Sequence, residues 1–105
     1  MQKGEWEILE EIVVTVHDVE YVIPKGFTTD FASIPQAFWN LWSPFDMRWA
    51  YAALVHDYLY ETRTGTRKAA DLIFRQAMKD SGAKPATYML FYGIVRIFGK
   101  TMWDT

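Results

Sequence analysis

Over residues 6–23 the apolar residues fall into short β-branched runs broken by polar pairs. Ile12-Val13-Val14-Thr15-Val16 is β-branched throughout, and residues 19–23 answer it after His17-Asp18. β-branched side chains favour extended backbone, and a two-residue polar break makes a turn, so the pattern predicts an antiparallel strand pair. A further strand is expected around Trp6 to Leu9. Pro24-Lys25-Gly26 ends the strand region, because proline lacks an amide hydrogen and glycine reaches positive φ.

After residue 35 the apolar spacing changes to threes and fours, the period of helices. Pro35 suits a first helical turn with Ser33 as cap, which predicts a short helix over residues 35–41, broken by Ser43-Pro44. Asp46 can cap a helix over residues 47–61. Residues 62–65 make a turn, Thr66 caps a helix over residues 67–81, and Gly82 stops it. Pro85 opens a last helix to about Phe98, with Gly99 as its expected end. The expected class is α+β: a small N-terminal antiparallel sheet, then three main helices. The 105 residues suffice for one domain, with residues 1–35 β-rich and residues 36–100 helical.

Composition narrows the function classes. The net charge of -2 gives no basic surplus for nucleic acid. No cysteine is present, which excludes disulfides, thiolate metal sites and cysteine catalysis. Residues 1–11 are charged and lack the apolar core of a signal peptide. The most apolar stretch, residues 88–98, is too short for a membrane span and carries Arg96.

The chemistry centres on His56-Asp57-Tyr58-Leu59-Tyr60, set in an otherwise apolar helix. Trp49, Ala52, Ala53, His56 and Tyr60 share one side of it, and Asp57 lies about 100° round from His56. A buried carboxylate needs a partner or a cation. Asp71, 15 residues after His56 on an antiparallel helix, returns to about the same level. It shares a face with Phe74 and Met78 and so points inward. A carboxylate on one imidazole nitrogen fixes the tautomer and leaves the other nitrogen as a base. Asp30 adds a third carboxylate from a loop, where Asp57 and backbone carbonyls would complete an oxygen-rich site for calcium. The plain alternative is a buried network, with Arg67 neutralising the carboxylates, Tyr60 a core aromatic, and Asp30 and Ser33 turn and cap residues. Phe38, Trp39, Trp42, Phe45 and Trp49 crowd the intervening segment. They fill the core, or form an apolar rim for a protein partner or a lipid interface.

Two resemblances follow from these residues. Gly26-Phe27-Thr28-Thr29-Asp30-Phe31-Ala32-Ser33-Ile34-Pro35, then His56-Asp57-Tyr58-Leu59-Tyr60, Arg67, Ala70-Asp71 and Phe74, and finally residues 95–99, resemble a family of small, uncharacterised tailed-phage and prophage proteins. More distantly, His56, Asp57 and Tyr60, with Arg67, Asp71, Phe74 and Met78 and the upstream Asp30, resemble the prokaryotic secreted phospholipase A2 group. That resemblance implies a helical core of the phospholipase A2 type. It implies His56 as the base that activates water and Asp71 as its orienter. It implies Asp30, Asp57 and the Phe31 carbonyl as calcium ligands, and Tyr60 as part of the site. The expectation is a phage-encoded, calcium-dependent ester hydrolase in the host cytoplasm or on the virion. The alternative is a non-enzymatic tail-associated protein that binds other phage proteins through the Trp39/Trp42/Trp49 region. A third reading, a host-takeover protein, rests on size and the phage resemblance alone.

Overall fold

The computed structural model describes residues 6–29 and 47–104, with side chains from Ala50 onward in the second stretch. The helix expected over residues 35–41, the Ser33 and Asp46 caps, Trp39 and Trp42 lie outside the described residues, as does the Trp49 side chain. The fold is α+β. Short antiparallel strands, β1 (Trp6–Glu7), β2 (Ile12–Val16), β3 (Val19–Ile23) and β4 (Thr28–Thr29), precede three helices, α1 (Met47–Thr62), α2 (Arg67–Asp80) and α3 (Pro85–Asp104).

The strands form two separate ribbons, β1 with β4 and β2 with β3. Val16 pairs with Val19, so His17-Asp18 is the two-residue turn the sequence predicts. Both turn residues have positive φ, 48° and 67°. That is the type I′ pattern, which matches the twist of a hairpin. Alternation then sets the faces. Ile12, Val14 and Val16 turn toward the helices, while Val13 and Val22, paired across the hairpin, face outward. β1 meets the returning chain instead of the hairpin edge. Gly26, at φ 89°, turns the backbone so that its N–H donates to the Ile8 carbonyl at 2.8 Å. The Ile8 N–H in turn donates to the Phe27 carbonyl at 2.9 Å.

α1 is apolar on every side, and such a helix must be enclosed. Ala52, Ala53, Leu54, Val55, Leu59 and Tyr60 are all buried, between α2, α3, β3 and β4. α2 starts as its sequence predicts, with the Thr66 hydroxyl oxygen accepting from the Ala69 N–H at 3.1 Å. It ends in a Schellman turn. Gly82 has φ 95°, its N–H donates to the Lys79 carbonyl, and the Ala83 N–H reaches back to the Met78 carbonyl. Phe74, Met78, Phe91 and Val95 complete the core, each fully buried.

α3 departs from expectation. Gly99 does not end it; the helix runs on to Asp104. Gly99 is a buried interior residue, and a Cβ built there would meet the Tyr60 ring. The glycine marks a close approach of α3 to α1 rather than a helix stop. Beyond it, Trp103 packs edge-on against Tyr60, with ring centroids 5.2 Å apart.

Candidate functional site

Three helices deliver the site. α1 carries His56, Asp57 and Tyr60 in its last turns, α2 carries Asp71 in its second turn, and α3 carries Arg96. The turn between α1 and α2 needs positive φ at Arg63 (51°) and Gly65 (69°). It reverses the chain tightly enough that Asp71 comes back level with His56.

Asp71 Oδ1 lies 2.7 Å from His56 Nε2, and both side chains are fully buried. The Tyr60 hydroxyl donates to the same Oδ1 at 2.6 Å. Arg96 Nη1 donates to Oδ2 at 2.7 Å. One carboxylate therefore gathers an imidazole, a phenol and a guanidinium. His56 and Tyr60 sit one helical turn apart with ring centroids 4.3 Å apart, and Phe74 also packs on the imidazole at 4.8 Å.

Charge states follow from this enclosure. Burial lowers the His56 pKa below its usual 6.5, against the raising effect of Asp71, so the imidazole is neutral. Burial alone would raise the Asp71 pKa. The hydrogen bonds from His56, Tyr60 and Arg96 outweigh it and hold the carboxyl below its usual range. Asp71 is thus ionised, and its contact with Nε2 requires the proton there, which puts the imidazole lone pair on Nδ1. Tyr60 stays protonated, because burial and the adjacent carboxylate both push its pKa up.

The sequence placed His56, Tyr60 and Asp71 together, and they meet. The buried-network alternative assigns the neutralising cation to Arg67, whereas the guanidinium bonded to Asp71 is that of Arg96. Arg67 Nη2 donates to the carbonyl of Val95 at 3.0 Å and to the carbonyl of Arg96, so it ties the start of α2 to the middle of α3. The cation on Asp71 is Arg96. Its signal was visible as a lone charge in the apolar stretch of residues 88–98. A span of sequence does not say which helix faces Asp71.

Asp57 is buried as well, at 7% exposure, one position round α1 from His56. Asp30 and Phe31, its expected companions at a calcium ion, lie outside the described residues. Among the described residues no three histidine, cysteine or acidic side chains gather in a geometry that could hold a metal ion. A carboxylate pair with a backbone carbonyl is an oxygen donor set that suits a hard cation.

An uncharacterised protein, y4jT, of Sinorhizobium fredii (strain NBRC 101917 / NGR234) is 30% identical over 82 residues, covering 77% of this chain and 24% of that protein. The chain thus spans about a quarter of that relative's length. No solved structure matches the chain. The family match runs over residues 6–95, from the first strand through His56, Tyr60 and Asp71. By that match the chain belongs to the family of proteins of unknown function DUF1353.

Proposed function

We propose that this chain is a phage-encoded ester hydrolase of the phospholipase A2 type, with His56 as its base. The observation that carries the reading is the buried 2.7 Å contact between Asp71 Oδ1 and His56 Nε2. It holds the imidazole in one orientation and one tautomer, while burial keeps it neutral, as a general base requires. The resemblance of His56, Asp57, Tyr60 and Asp71 to the secreted phospholipase A2 pattern supports the choice of an ester as substrate.

In this reaction Nδ1 of His56 takes a proton from water as the water oxygen bonds to the ester carbonyl carbon. The tetrahedral intermediate then collapses, the acyl–oxygen bond breaks, and the proton passes from Nδ1 to the leaving alkoxide. The products are a carboxylic acid and an alcohol. The ionised Asp71 stabilises the imidazolium formed in between. Tyr60 and Arg96 hold Asp71 and act through it, as positioning residues. Asp57, with Asp30 and the Phe31 carbonyl, would hold a calcium ion, whose chemistry when bound is to polarise the ester carbonyl.

The test is product analysis after incubation with glycerophospholipid vesicles and calcium. Release of one fatty acid and the lysophospholipid is expected, abolished by a calcium chelator and by Asp57→Asn. Absence of any released fatty acid in the presence of calcium would contradict the reading.

One observation favours a second reading. His56 and Asp71 are fully buried, and both oxygens of Asp71 are engaged. A network that only ties three helices together would look the same, in a tail-associated protein that binds other phage proteins. Finding the chain at fixed stoichiometry in purified virions, with no hydrolysis, would select that reading.

A further inference from the structure

Glycine in the middle of a helix is unfavourable relative to alanine, so a buried interior glycine needs a reason. α3 contains two glycines, six residues apart, and they differ. A Cβ on Gly93 would meet nothing within 4 Å. A Cβ on Gly99 would lie 3.2 Å from Cε2 and Cζ of Tyr60, and closer still to the hydroxyl oxygen. Gly99 is helical in conformation, so the need is for space rather than for positive φ.

Tyr60 has no easy way to yield that space. Its ring packs against His56, at 4.3 Å between centroids, and against Trp103, at 5.2 Å. Its hydroxyl is committed to Asp71 Oδ1 at 2.6 Å, the same oxygen that holds His56 Nε2. α3 has no freedom to withdraw either. Arg67 grips its backbone at the Val95 and Arg96 carbonyls, and Arg96 reaches Asp71 Oδ2. Any side chain at Gly99 must therefore move the Tyr60 hydroxyl relative to Asp71, or α3 relative to both.

We propose that Gly99 is a positioning residue for the site: its missing side chain lets the Tyr60 hydroxyl pass under α3 and close on Asp71, which fixes the Asp71–His56 contact. The effect on hydrolysis rests on the function proposed above. The effect on the contact itself does not.

The experiment compares Gly93→Ala, Gly99→Ala, Tyr60→Phe and the double variant Gly99→Ala/Tyr60→Phe in the full chain. The readouts are the thermal midpoint and the NMR signal of the His56 Nε2 proton. Gly93→Ala should leave the midpoint unchanged or raise it, and leave the proton signal in place. Gly99→Ala should lower the midpoint by several degrees and shift or broaden the signal. In the Tyr60→Phe background, where the oxygen is gone, the same glycine substitution should lower the midpoint by less than half as much. If Gly99→Ala fails to fold, folding of the double variant supports the inference. A Gly99→Ala as harmless as Gly93→Ala overturns it, as does a penalty undiminished in the double variant, or failure of both to fold. Persistence of the coupling in a protein without hydrolytic activity would uphold the role of Gly99 and reject the hydrolase.

Discussion

At the scale of single residues the molecule turns on Asp71. A fully buried carboxylate is costly to desolvate, and three donors, one of them a cation, offset that cost here. Asp71→Asn keeps the shape but removes the charge. Because Arg96 is partly exposed, the change should destabilise the fold by about 1–3 kcal/mol, the range for a buried hydrogen-bonding group left mismatched, read as a fall in the denaturation midpoint. Acid should do the same by protonation. His56 in the unfolded chain titrates near 6.5, while in the fold burial lowers its pKa. Below about pH 6.5 the unfolded chain therefore binds a proton that the folded chain refuses, and stability falls as pH falls, by at most ~1.4 kcal/mol per pH unit. Asp71 adds to this at lower pH. Its stabilisation is complete above its ordinary value of 3.8 and is lost as pH drops through its lowered folded value. Urea denaturation between pH 8 and pH 5 should show the first loss, and His56→Gln should flatten it.

At the scale of elements, local sequence legibly set the ends of most elements. His17-Asp18 separates two β-branched runs and makes the tight turn. Thr66 caps α2, and Gly82 ends it. Where the structure departs from local sequence, the cause is tertiary. Gly99 has the chemistry of a helix stop but serves a contact with a residue 39 positions earlier. Arg96 looked like an interruption in an apolar run and is instead a partner of Asp71. Both depend on how α3 lies against α1 and α2, which periodicity within α3 does not encode. The hairpin offers a separate test. Its two turn residues hold positive φ with side chains less suited to it than Asn-Gly. The double change His17→Asn/Asp18→Gly should raise stability, because Asn-Gly is the preferred type I′ pair, seen as a higher thermal midpoint. The backbone N–H at position 17, which donates to Asp80 Oδ2 at 3.0 Å, is kept.

At the scale of the whole molecule, charge is divided. Residues 1–46 hold eight of the 13 acidic residues and two of the 11 Lys and Arg; residues 47–105 hold the other nine cations. The helical part is thus basic although the chain is acidic, and its one fully buried carboxylate, Asp71, sits among those cations. α3 also exposes Leu90, Ile97 and Phe98, at 46%, 72% and 47%. Ile97 lies far from the Asp71 network in burial if not in sequence, so Ile97→Lys should change stability by no more than ~0.5 kcal/mol. A circular-dichroism melt checks this. A large loss there would contradict the exposure of Ile97.

The His56–Asp71 pair was foreseeable because 15 residues and a short turn leave two antiparallel helices few ways to lie. Its activity is what the pair is proposed to do, and one measurement addresses it directly: the rate of fatty-acid release from glycerophospholipid vesicles in calcium, for the intact protein and for His56→Gln. If His56 is the base, the intact protein releases fatty acid and the variant is slower by ~100-fold or more, with its fold retained. Equal rates in the two proteins, or no release by either, would contradict it.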